Sequence, residues 1–342
     1  MTDIAVVILN FNGIGFLRSF LETVVKYSGQ NNTEVYVADN GSTDSSLTWL
    51  SENRRDVKLI NLGTNHGFAG GYNLALNQIK AKYYVLLNSD VEVTEGWLTP
   101  LTEHLENNQG VAACQPKILS WSIRDHFEYA GASGGFIDKY GYPFCRGRIL
   151  NHVEKDEGQY NKDATIFWSS GACMMIRSEA WERCGGFDAA FFAHMEEIDL
   201  CWRLNNAGYK ISCIPASVVY HVGGGTLPYD SPFKTYLNFR NSLFLLYKNL
   251  EKTDLRRTMF IRRLLDGFAA IVFLFTGRVS SFLSVLKAHR DYYRGITDLK
   301  EKRKAVQKLK QNNYSAPVLN KSIVFEFYAR GKKTFTSLNL TT

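Results

Sequence analysis

Three short apolar runs near the start of the chain each end in an Asn or Asp, and this pattern constrains the fold more than any other feature. The runs cover residues 4–9, 34–38 and 83–87, and the residues that end them are Asn10, Asp39 and Asn88. Apolar runs of this length without helical periodicity predict buried strands. A helical pattern over residues 14–27 separates the first two runs. Strands that alternate with helices through short loops predict an α/β fold with a doubly wound, mostly parallel sheet.

The polar strand ends predict a binding site. In open α/β sheets, ligands bind just beyond the carboxyl ends of the strands, so we expect a nucleotide along the edge that these ends share. The glycine-rich segment 63–71 precedes a predicted helix over residues 72–79 and matches neither the dinucleotide-binding motif nor the Walker A motif. Gly67 and its neighbouring glycines favour close approach of a phosphate or sugar, although they also permit a tight turn with no ligand.

Two strand ends, one of the three above and one further along the chain, carry side chains that are able to bind a metal. Asn88 and Asp90 stand at positions i and i+2, where two oxygen-bearing side chains are able to share a hard divalent cation and the phosphates that it bridges. The alternative is a simple turn, because Asn, Ser and Asp all favour turns. His221 ends another predicted strand, before the glycines at positions 223–225. An isolated histidine is more often not a ligand.

A cluster of acidic side chains begins a predicted helix. Glu196, Glu197 and Asp199 follow the aromatic pair at positions 191–192. On a helix Glu196 and Asp199 share a face, whereas Glu197 points elsewhere. Carboxylates in this setting are candidates for a general base. The alternative is a solvated helix start, where negative side chains interact favourably with the helix dipole.

Residues 118–165 mix glycines with aromatic residues and show no clean periodicity. This composition predicts a long irregular loop or a small hairpin. Long loops in compact domains are usually functional or mobile.

The two parts of the chain differ strongly in charge. Residues 1–230 carry 18 Lys+Arg and 26 Asp+Glu, whereas residues 231–342 carry 22 and 7. We therefore expect an acidic α/β domain over residues 1–230 and a basic, hydrophobic helical extension over residues 231–342. A basic extension predicts contact with an anionic surface. Binding to nucleic acid is disfavoured, because the charge accompanies aliphatic residues and no recognisable nucleic-acid module.

The most hydrophobic stretch lies in this extension, over residues 259–286. Its uncharged part, residues 267–277, is too short to cross a bilayer, which needs about 20 residues, and Arg278 interrupts its continuation. The Arg and Lys residues that flank it favour amphipathic helices lying on a membrane face. The alternatives are a true span over residues 267–286 and a core-packing helix with no membrane role.

The six cysteines and the N-terminus bear on the compartment. The cysteines form no C-x-x-C pair, and several stand among apolar residues, which favours small buried thiols in a reducing compartment over disulfides. The N-terminus enters a predicted strand directly and lacks the features of a signal peptide. We therefore expect a cytoplasmic protein.

Eight short motifs occur in a fixed order between residues 4 and 225, and each is weak alone. They are VVILNFNG (6–13), DNGSTD (39–44), NHGFAGGYN (65–73), LNSD (87–90), SGA (170–172), GGFD (185–188), EEIDLCWR (196–203) and His221. Together they resemble the inverting glycosyltransferases of family two, which have the GT-A fold. The likeness is greatest to the branch that contains rhamnosyl-type and galactofuranosyl-type transferases of bacterial surface polysaccharide assembly.

The resemblance implies roles for individual residues on the donor side. Asp39 corresponds to the acid that contacts the nucleotide base, and Asn65 and Asn73 correspond to polar residues that line the nucleotide pocket. Asn88-Ser89-Asp90 corresponds to the D-x-D metal motif, with Asp90 as the ligand. Asn88 stands where the first Asp is usual, which removes one negative charge and leaves this side chain to help by hydrogen bonding.

The resemblance also implies a base and a further metal ligand. Glu197 corresponds to the second acid of a Glu-Asp or Asp-Asp pair, the general base, and His221 to a histidine that completes the metal site. Because Glu197 stands where Asp is usual, its carboxylate reaches about one methylene further, and Glu196 remains an alternative base.

We therefore expect an inverting transferase that uses Mn²⁺ or Mg²⁺ to move a sugar from a nucleotide-diphosphate donor to a glycan acceptor that is lipid-linked. The expected location is the inner face of the plasma membrane, with the protein bound peripherally. A nucleotidyltransferase is disfavoured, because residues 10–13 lack the basic signature loop that such enzymes carry after the first strand. A glycan-binding or scaffolding protein with a degenerate site remains the alternative.

Overall fold

The computed structural model describes residues 2–29, 32–223, 231–311 and 316–340. The first part of the chain alternates strands and helices as the sequence pattern predicts. Its elements are β1 (Thr2–Asn10), α1 (Ile14–Ser28), β2 (Thr33–Asp39), α2 (Ser46–Asn53), β3 (Lys58–Asn61), α3 (Gly67–Leu76), β4 (Ala81–Asn88), β5 (Val91–Val93) and α4 (Leu98–Asn107). The next part runs through β6 (Val111–Ser120), β7 (Gly135–Asp138), β8 (Pro143–Cys145), β9 (Arg148–Ile149), β10 (His152–Val153), β11 (Ala164–Ile166), β12 (Cys173–Arg177), α5 (Ser178–Cys184), α6 (Glu196–Asn206) and β13 (Lys210–His221).

The main sheet has the strand order β11-β13-β6-β12-β4-β1-β2-β3 in the described residues, and β5 pairs with β13. Strands β3, β2, β1 and β4 are parallel, so their carboxyl ends lie at one edge. Strand β12 runs antiparallel between β4 and β6, and β6 pairs in parallel with β13. The α/β fold class with a mixed, mostly parallel sheet is confirmed.

Helices cover both faces of this sheet because successive side chains of a strand point to opposite sides. In β1, Ile4, Val6 and Ile8 pack in one cluster with α1 and α4. Ala5 and Val7 of the same strand belong to the opposite cluster, together with residues of α3, α5 and α6. This is the doubly wound arrangement that the alternating pattern predicts.

Helix α3 begins five residues earlier than predicted, so the expectation of a glycine loop ending before a helix at residue 72 is wrong. Its first residue is Gly67, and the side-chain oxygen of Asn65 accepts a hydrogen bond from the Gly67 amide at 2.8 Å. Gly71 packs against Leu9, where an added Cβ would lie 2.9 Å from the Leu9 side chain. The glycines therefore serve close packing of a helix and do not interrupt it.

Residues 118–165 form more than the predicted loop or hairpin. Their strands make a second, smaller sheet with the order β10-β9-β8-β7-β14. The last strand of this sheet, β14, comes from the end of the chain and pairs in parallel with β7. The individual strands are only two to four residues long, which hides their periodicity in the sequence.

The C-terminal part is mainly helical. Its elements are α7 (Pro232–Asn249), α8 (Lys252–Phe275), α9 (Val279–Arg294), α10 (Ile296–Lys308), β14 (Val318–Leu319) and α11 (Ile323–Tyr328). Leu243 and Phe244 of α7 and Tyr292 of α9 belong to the same hydrophobic cluster as the helices on one face of the main sheet. The division of the chain at residues 230 and 231 stays a prediction. Among the described helices, none is long and apolar enough to cross a membrane.

Candidate active site

The carboxyl ends of β1 and β2 carry a buried polar pair. Asn10 and Asp39 lie side by side in the parallel ladder, and the Asn10 amide donates to the Asp39 carboxylate at 2.9 Å. The same amide also donates to the Ser42 hydroxyl at 3.1 Å, and the Ser42 backbone N–H donates to Asp39 at 2.9 Å. The side-chain oxygen of Asn10 is buried and has no hydrogen-bond partner within the described residues. Since buried polar atoms are usually paired, this oxygen is a candidate acceptor for a ligand donor.

Asn65 lies beside this pair, at the start of α3. Its side-chain oxygen accepts from the Gly67 amide and from the side chain of Asn40, at 2.8 and 3.2 Å. The Asn40 side chain in turn donates to the Gly67 carbonyl at 3.0 Å. These bonds attach the end of β2 to the first turn of α3, so Asn65 shapes the edge at which the polar strand ends lie.

Asn73 makes a different connection. Its side chain accepts from the Phe187 backbone N–H at 3.0 Å and donates to the Phe187 carbonyl at 2.8 Å. Both hydrogen-bonding ends of the amide are therefore engaged by one peptide segment, which joins α3 to the segment that follows α5. A role for Asn73 in lining a nucleotide pocket stays a prediction.

The structure brings Asn88, Asp90 and His221 together from two distant parts of the sequence. The Nε2 atom of His221 lies 3.1 Å from a carboxylate oxygen of Asp90 and 3.5 Å from the side-chain nitrogen of Asn88. The other ring nitrogen, Nδ1, lies 3.4 Å from a carboxylate oxygen of Glu128. Strand β5 pairs with β13 so that Val91 lies opposite His221, and this pairing brings the preceding residue, Asp90, next to the histidine.

The charges of this cluster act on one another. Burial alone would lower the pKa of His221, but the carboxylates of Glu128 and Asp90 outweigh burial and raise the pKa to about 10. Burial tends to raise the pKa of Asp90, and the His221 ring reverses this effect and lowers it. Glu128 faces Nδ1 as an ion-pair partner, while Nε2 is directed at Asp90. A carboxylate that holds the second nitrogen of a histidine is typical of metal-binding histidines.

The residues that follow His221 were predicted to include a glycine-rich loop at positions 223–225. Gly224 and Gly225 lie outside the described residues. No group of three or more His, Cys, Asp or Glu side chains arranged to hold a metal ion occurs in residues 2–29, 32–223, 231–311 and 316–340. Among the described residues, Asp90 and His221, with the Asn88 amide beside them, therefore stay candidate ligands for a cation.

The acidic cluster at the start of α6 separates into one carboxylate with charged partners and two carboxylates that each keep one oxygen without a partner. Asp199 accepts hydrogen bonds from Arg203 at 2.9 Å, Lys248 at 3.0 Å and Asn249 at 2.9 Å. Glu196 is buried and Glu197 is partly buried, and each has one buried carboxylate oxygen with no partner in the described part of the chain. Asp199 therefore has a structural role, whereas Glu196 and Glu197 keep free acceptor capacity.

Burial raises the pKa of both glutamates. Burial raises the pKa of Glu197 to about 7, although backbone hydrogen bonds oppose the shift. Burial also raises the pKa of Glu196, and the nearby Glu197 carboxylate raises it further. A carboxylate with a pKa near neutrality is suited to act as a general base.

A short segment joins the acidic pair to the Asp90 cluster. The Asn88 backbone N–H donates to the Ala172 carbonyl at 2.9 Å, which sets residues 170–172 beside the end of β4. On the α6 side, a Cβ added to Gly171 would lie 3.9 Å from the Cβ of Glu197. Glu197 therefore lies across a single glycine from the strand end that carries Asn88 and precedes Asp90.

Two contributors to the site were not identified in the sequence. Glu128 lies in a stretch without periodicity, and no local pattern links it to His221 across 93 positions. Phe192 packs its ring on Gly67, where an added Cβ would lie 2.5 Å from Cδ2 of the ring, and its carbonyl accepts from the Ala69 amide at 3.1 Å. Gly67 indicates that another group approaches the backbone closely at this position, but nothing in the sequence identifies Phe192 as that group.

Comparison with known proteins gives consistent results. The sequence model of glycosyl transferase family 2 matches residues 5–185. The low-salt glycan biosynthesis hexosyltransferase Agl10 of Haloferax volcanii is 24% identical over 288 residues, which cover 82% of this chain and 87% of that protein. The N-acetylglucosaminyl-diphospho-decaprenol L-rhamnosyltransferase of Mycobacterium tuberculosis is 26% identical over 240 residues, which cover 65% of this chain and 76% of that protein.

Solved structures agree on the fold. The mannosyltransferase PcManGT from Pyrobaculum calidifontis, in complex with GDP-Man and Mn²⁺, superposes with a TM-score of 0.52 at 15% identity. The superposition covers 89% of this chain and 85% of that one. The family match spans more than half of the residues, and it takes in the strand ends at Asn10, Asp39 and Asn88. The chain belongs to glycosyl transferase family 2 and has the GT-A fold.

Proposed function

We propose that this glycosyltransferase transfers a hexosyl or deoxyhexosyl group from a nucleoside-diphosphate donor to a hydroxyl of a lipid-linked glycan, with inversion at the anomeric carbon. The observation that carries this proposal is the partly buried Glu197 carboxylate, unpaired at one oxygen and separated by Gly171 from the Asp90 strand end. The names of the relatives, a rhamnosyltransferase and a hexosyltransferase of glycan synthesis, support the class of sugar and acceptor.

The residues present fit a divalent cation. Asp90 would supply a carboxylate. His221 would supply Nε2, which lies 3.1 Å from that carboxylate, once the cation's charge displaced the proton that the raised pKa of His221 retains, and Glu128 faces the other ring nitrogen. Two protein ligands suffice for a cation that takes its remaining ligands from phosphates and water, as Mg²⁺ commonly does. When bound, Mn²⁺ or Mg²⁺ supplies positive charge that stabilises the leaving diphosphate. Asn10 and Asp39 hold the nucleoside end of the donor at the adjacent strand ends.

Glu197 acts on the acceptor. Its deprotonated carboxylate takes the proton of the acceptor hydroxyl as that oxygen attacks the anomeric carbon, and the bond to the donor diphosphate breaks. Direct displacement inverts the anomeric carbon and needs no covalent intermediate. Since burial raises the pKa of Glu197 to about 7, we expect kcat to rise with pH through neutrality.

A donor panel with defined variants tests this assignment. Purified enzyme is incubated with UDP-, GDP- and dTDP-sugars, Mn²⁺ or Mg²⁺ and a polyprenyl-diphosphate glycan, and the anomeric configuration of the product is read by NMR. We expect Glu197→Gln to lower kcat by about 10²- to 10⁴-fold, the usual contribution of a general base. Asp90→Ala should abolish the turnover that added Mn²⁺ or Mg²⁺ supports in the wild type.

Glu95→Gln is the matched control, because Glu95 is exposed in the turn before α4. It should leave turnover unchanged. Unchanged turnover in both Glu197→Gln and Asp90→Ala would contradict the proposed site. No turnover with any donor, combined with binding of glycan by the wild type, would favour a glycan-binding or scaffolding protein.

We also propose that the C-terminal helices bind an anionic membrane surface. Exposed apolar side chains recur along one stripe of α8 and one of α9, namely Phe260, Leu264, Phe268, Ile271, Phe275, Val279, Leu283 and Leu286. Phe275, at the end of α8, is 86% exposed. Basic residues lie along the same two helices, among them Arg256, Arg257, Lys287 and Arg290. Apolar stripes flanked by positive charge are typical of helices that lie in the interface of anionic lipids.

A membrane partner is consistent with a lipid-linked acceptor and with the cytoplasmic, peripheral location that we propose. The cysteines at positions 114, 145, 173, 184, 201 and 213 are all free and buried, which suits a reducing compartment. Sedimentation with vesicles of phosphatidylglycerol and phosphatidylcholine tests the proposal. Phe268→Ser combined with Phe275→Ser should release the protein from the vesicles, whereas Tyr328→Ser, an exposed residue of α11, should not. Wild-type protein that stays in the supernatant with anionic vesicles would overturn it.

A further inference from the structure

The segment just before the acidic pair has an unusual backbone. Phe192, His194 and Met195 all have positive φ angles, of 66°, 67° and 74°. Phe192 combines its φ with a ψ of −62°, and the Ala193 amide donates to the Phe191 carbonyl at 2.8 Å, which is a classic γ-turn. Non-glycine residues in these regions cost of order 1–3 kcal/mol each and persist only where surrounding structure holds them. Residues 190–195 therefore need an external support.

Helix α7 provides this support through one buried amide. The side-chain nitrogen of Asn241 lies within hydrogen-bond distance of three carbonyl oxygens of the segment, those of Phe191 at 2.9 Å, Ala193 at 2.9 Å and His194 at 2.7 Å. Asn241 is fully buried. An amide nitrogen has two hydrogens, so the three carbonyls share two N–H donors. All three carbonyl oxygens therefore point at the side-chain nitrogen of Asn241.

Arg240 adds a second set of contacts from the same helix. Its guanidinium donates to the carbonyls of Ala190 and Phe191 at 2.9 and 3.0 Å. Its Nε donates to the side-chain oxygen of Asn241 at 2.9 Å, which fixes the direction in which the Asn241 amide presents its hydrogens. The planar guanidinium makes these contacts in a fixed geometry that lysine does not reproduce.

The supported segment touches both halves of the site. At its C-terminal end, Met195 is the residue from which α6 starts, and Glu196 and Glu197 follow directly. In its middle, the Phe192 carbonyl accepts from the Ala69 amide at the first turn of α3, and its ring covers Gly67. The path of residues 190–195 therefore sets the position of the two carboxylates relative to the strand ends.

We propose that Arg240 and Asn241 are positioning residues of the transferase, which hold residues 190–195 on their strained path and thereby fix Glu197 opposite the donor site. This inference rests on the proposed role of Glu197 as the base. A displacement of a reacting group by about 1 Å is able to lower a rate on the order of 100-fold. Loss of the Asn241 donors takes the side-chain donor from the Ala193 and His194 carbonyls and leaves the Phe191 carbonyl with Arg240 and the Ala193 amide. The segment then relaxes towards ordinary φ angles.

The test compares Asn241→Ala with Asn249→Ala. Asn249 is an equally buried asparagine on α7, two turns further on, and it bonds Asp199 and the Leu245 carbonyl but not the segment. Both variants lose buried hydrogen bonds, so both should have a lower melting temperature. We expect kcat to fall on the order of 100-fold in Asn241→Ala, with KM for the donor changed less than about 3-fold. In Asn249→Ala, kcat should stay within about 3-fold of the wild type.

The pH profile of kcat gives a readout that a merely structural role would not move. Opening the segment admits water to Glu197, so the acidic limb of the Asn241→Ala profile should shift to lower pH, while that of Asn249→Ala should not. Arg240→Lys keeps the charge and serves where Asn241→Ala fails to fold. It should lower kcat by a smaller factor with the same shift of the acidic limb.

The outcomes separate this inference from the proposed function. If Glu197→Gln leaves transfer unchanged, the assignment of the base is wrong and the positioning role falls with it. If Glu197→Gln abolishes transfer while folded Asn241→Ala and Arg240→Lys both keep the wild-type kcat and pH profile, only the positioning role is overturned. Equal losses of kcat in Asn241→Ala and Asn249→Ala would also overturn it.

Discussion

Three carboxylates lie within about one turn of α6, and their surroundings shift their pKa values in opposite directions. Asp199 is compensated by Arg203, Lys248 and Asn249, and the charges of Lys248 and Arg203 outweigh burial and lower its pKa. Glu196 and Glu197 have no cationic partner among the described residues, and burial raises the pKa of both. Neighbouring titratable groups whose pKa values are shifted in opposite directions by their surroundings are typical of acid–base sites.

This difference leads to a prediction on stability. The pKa of Glu197 rises from its ordinary value of 4.5 to about 7 in the folded state, so its contribution to stability is largest below pH 4.5 and is lost as the pH rises through 7. Glu197→Gln removes this loss. We expect the free energy of unfolding of Glu197→Gln, relative to wild type, to increase by about 2 kcal/mol between pH 5 and pH 8.

Urea unfolding at the two pH values measures this difference. Glu95→Gln serves as control, because the exposed Glu95 should show no such trend. A Glu197→Gln difference that is the same at pH 5 and pH 8 would contradict the raised pKa.

At this scale, sequence reasoning found residues but not their partners. It selected Asn88, Asp90 and His221, and these three do lie together. It did not select Glu128 or Asn241, because their roles depend on contacts between segments far apart in the chain, and nothing in the local pattern marks them. Helical periodicity places Glu197 off the face shared by Glu196 and Asp199. The pairing of Asp199 with Lys248 is visible only in the folded structure, because the two residues are far apart in the sequence.

At the scale of elements, the small sheet depends on a strand from the end of the chain. Val318 and Leu319 pair with Ile137 and Asp138, and the Asp138 carboxylate accepts the backbone N–H of Ile323 at 2.9 Å. The other oxygen of Asp138 accepts the backbone N–H groups of residues 140 and 142, at 2.8 and 2.9 Å. One buried carboxylate thus joins the turn after β7 to the start of α11.

Asp138→Ala should therefore destabilise the protein markedly. Three backbone N–H groups lose their acceptor at a buried site, and each unsatisfied group costs about 1–3 kcal/mol. We expect the free energy of unfolding to fall by about 2–4 kcal/mol, since the turn regains some bonds to water. Urea unfolding at pH 7 measures the change.

Asp163→Ala is the comparison for this variant, because the Asp163 side chain is 55% exposed. It should change the free energy of unfolding by no more than about 0.5 kcal/mol. Equal effects of the two substitutions would show that Asp138 does not join these elements.

A helix with a clear apolar periodicity was predicted closely, and the short strands were not. The helical pattern over residues 14–27 matches α1 (Ile14–Ser28) to within one residue. Strands of two to four residues carry too few positions for a period of two to emerge, so the small sheet was missed. The expectation that the glycine segment stays a loop up to residue 71 failed, because α3 begins at Gly67, and Phe192 and Leu9 pack where side chains at Gly67 and Gly71 would otherwise lie.

At the scale of the whole molecule, the basic C-terminal part is built into the core of the transferase. Phe244 of α7 packs edge-to-face on Phe191, with ring centroids 6.1 Å apart. Lys248 bonds Asp188 and Asp199 at 2.6 and 3.0 Å, and Lys302 of α10 bonds Asp188 at 2.8 Å. Apolar and charged contacts thus connect α7 and α10 to the segment that carries the acidic pair.

A chain that ends at residue 230 should therefore fail to fold cooperatively. It exposes the apolar surface that α7 covers and leaves Asp188 and Asp199 without Lys248, and an unpaired buried charge costs about 3–5 kcal/mol. We expect loss of near-ultraviolet circular dichroism and strong binding of the dye ANS, both measured against the full chain. Cooperative unfolding of residues 1–230 with a native-like spectrum would instead support an independent domain at the predicted boundary.

The pairing of β14 with β7 has a consequence for the newly made chain. The two strands are separated by 181 positions, as Ile137 and its partner Val318 show. At about 5–20 residues per second, the ribosome needs roughly 10 to 36 s to deliver β14 after β7. Throughout that interval β7 is an open sheet edge, with unpaired N–H and C=O groups that attract other strands. Chaperones that cover such edges should therefore engage this protein during synthesis and leave it when residues 318–319 emerge.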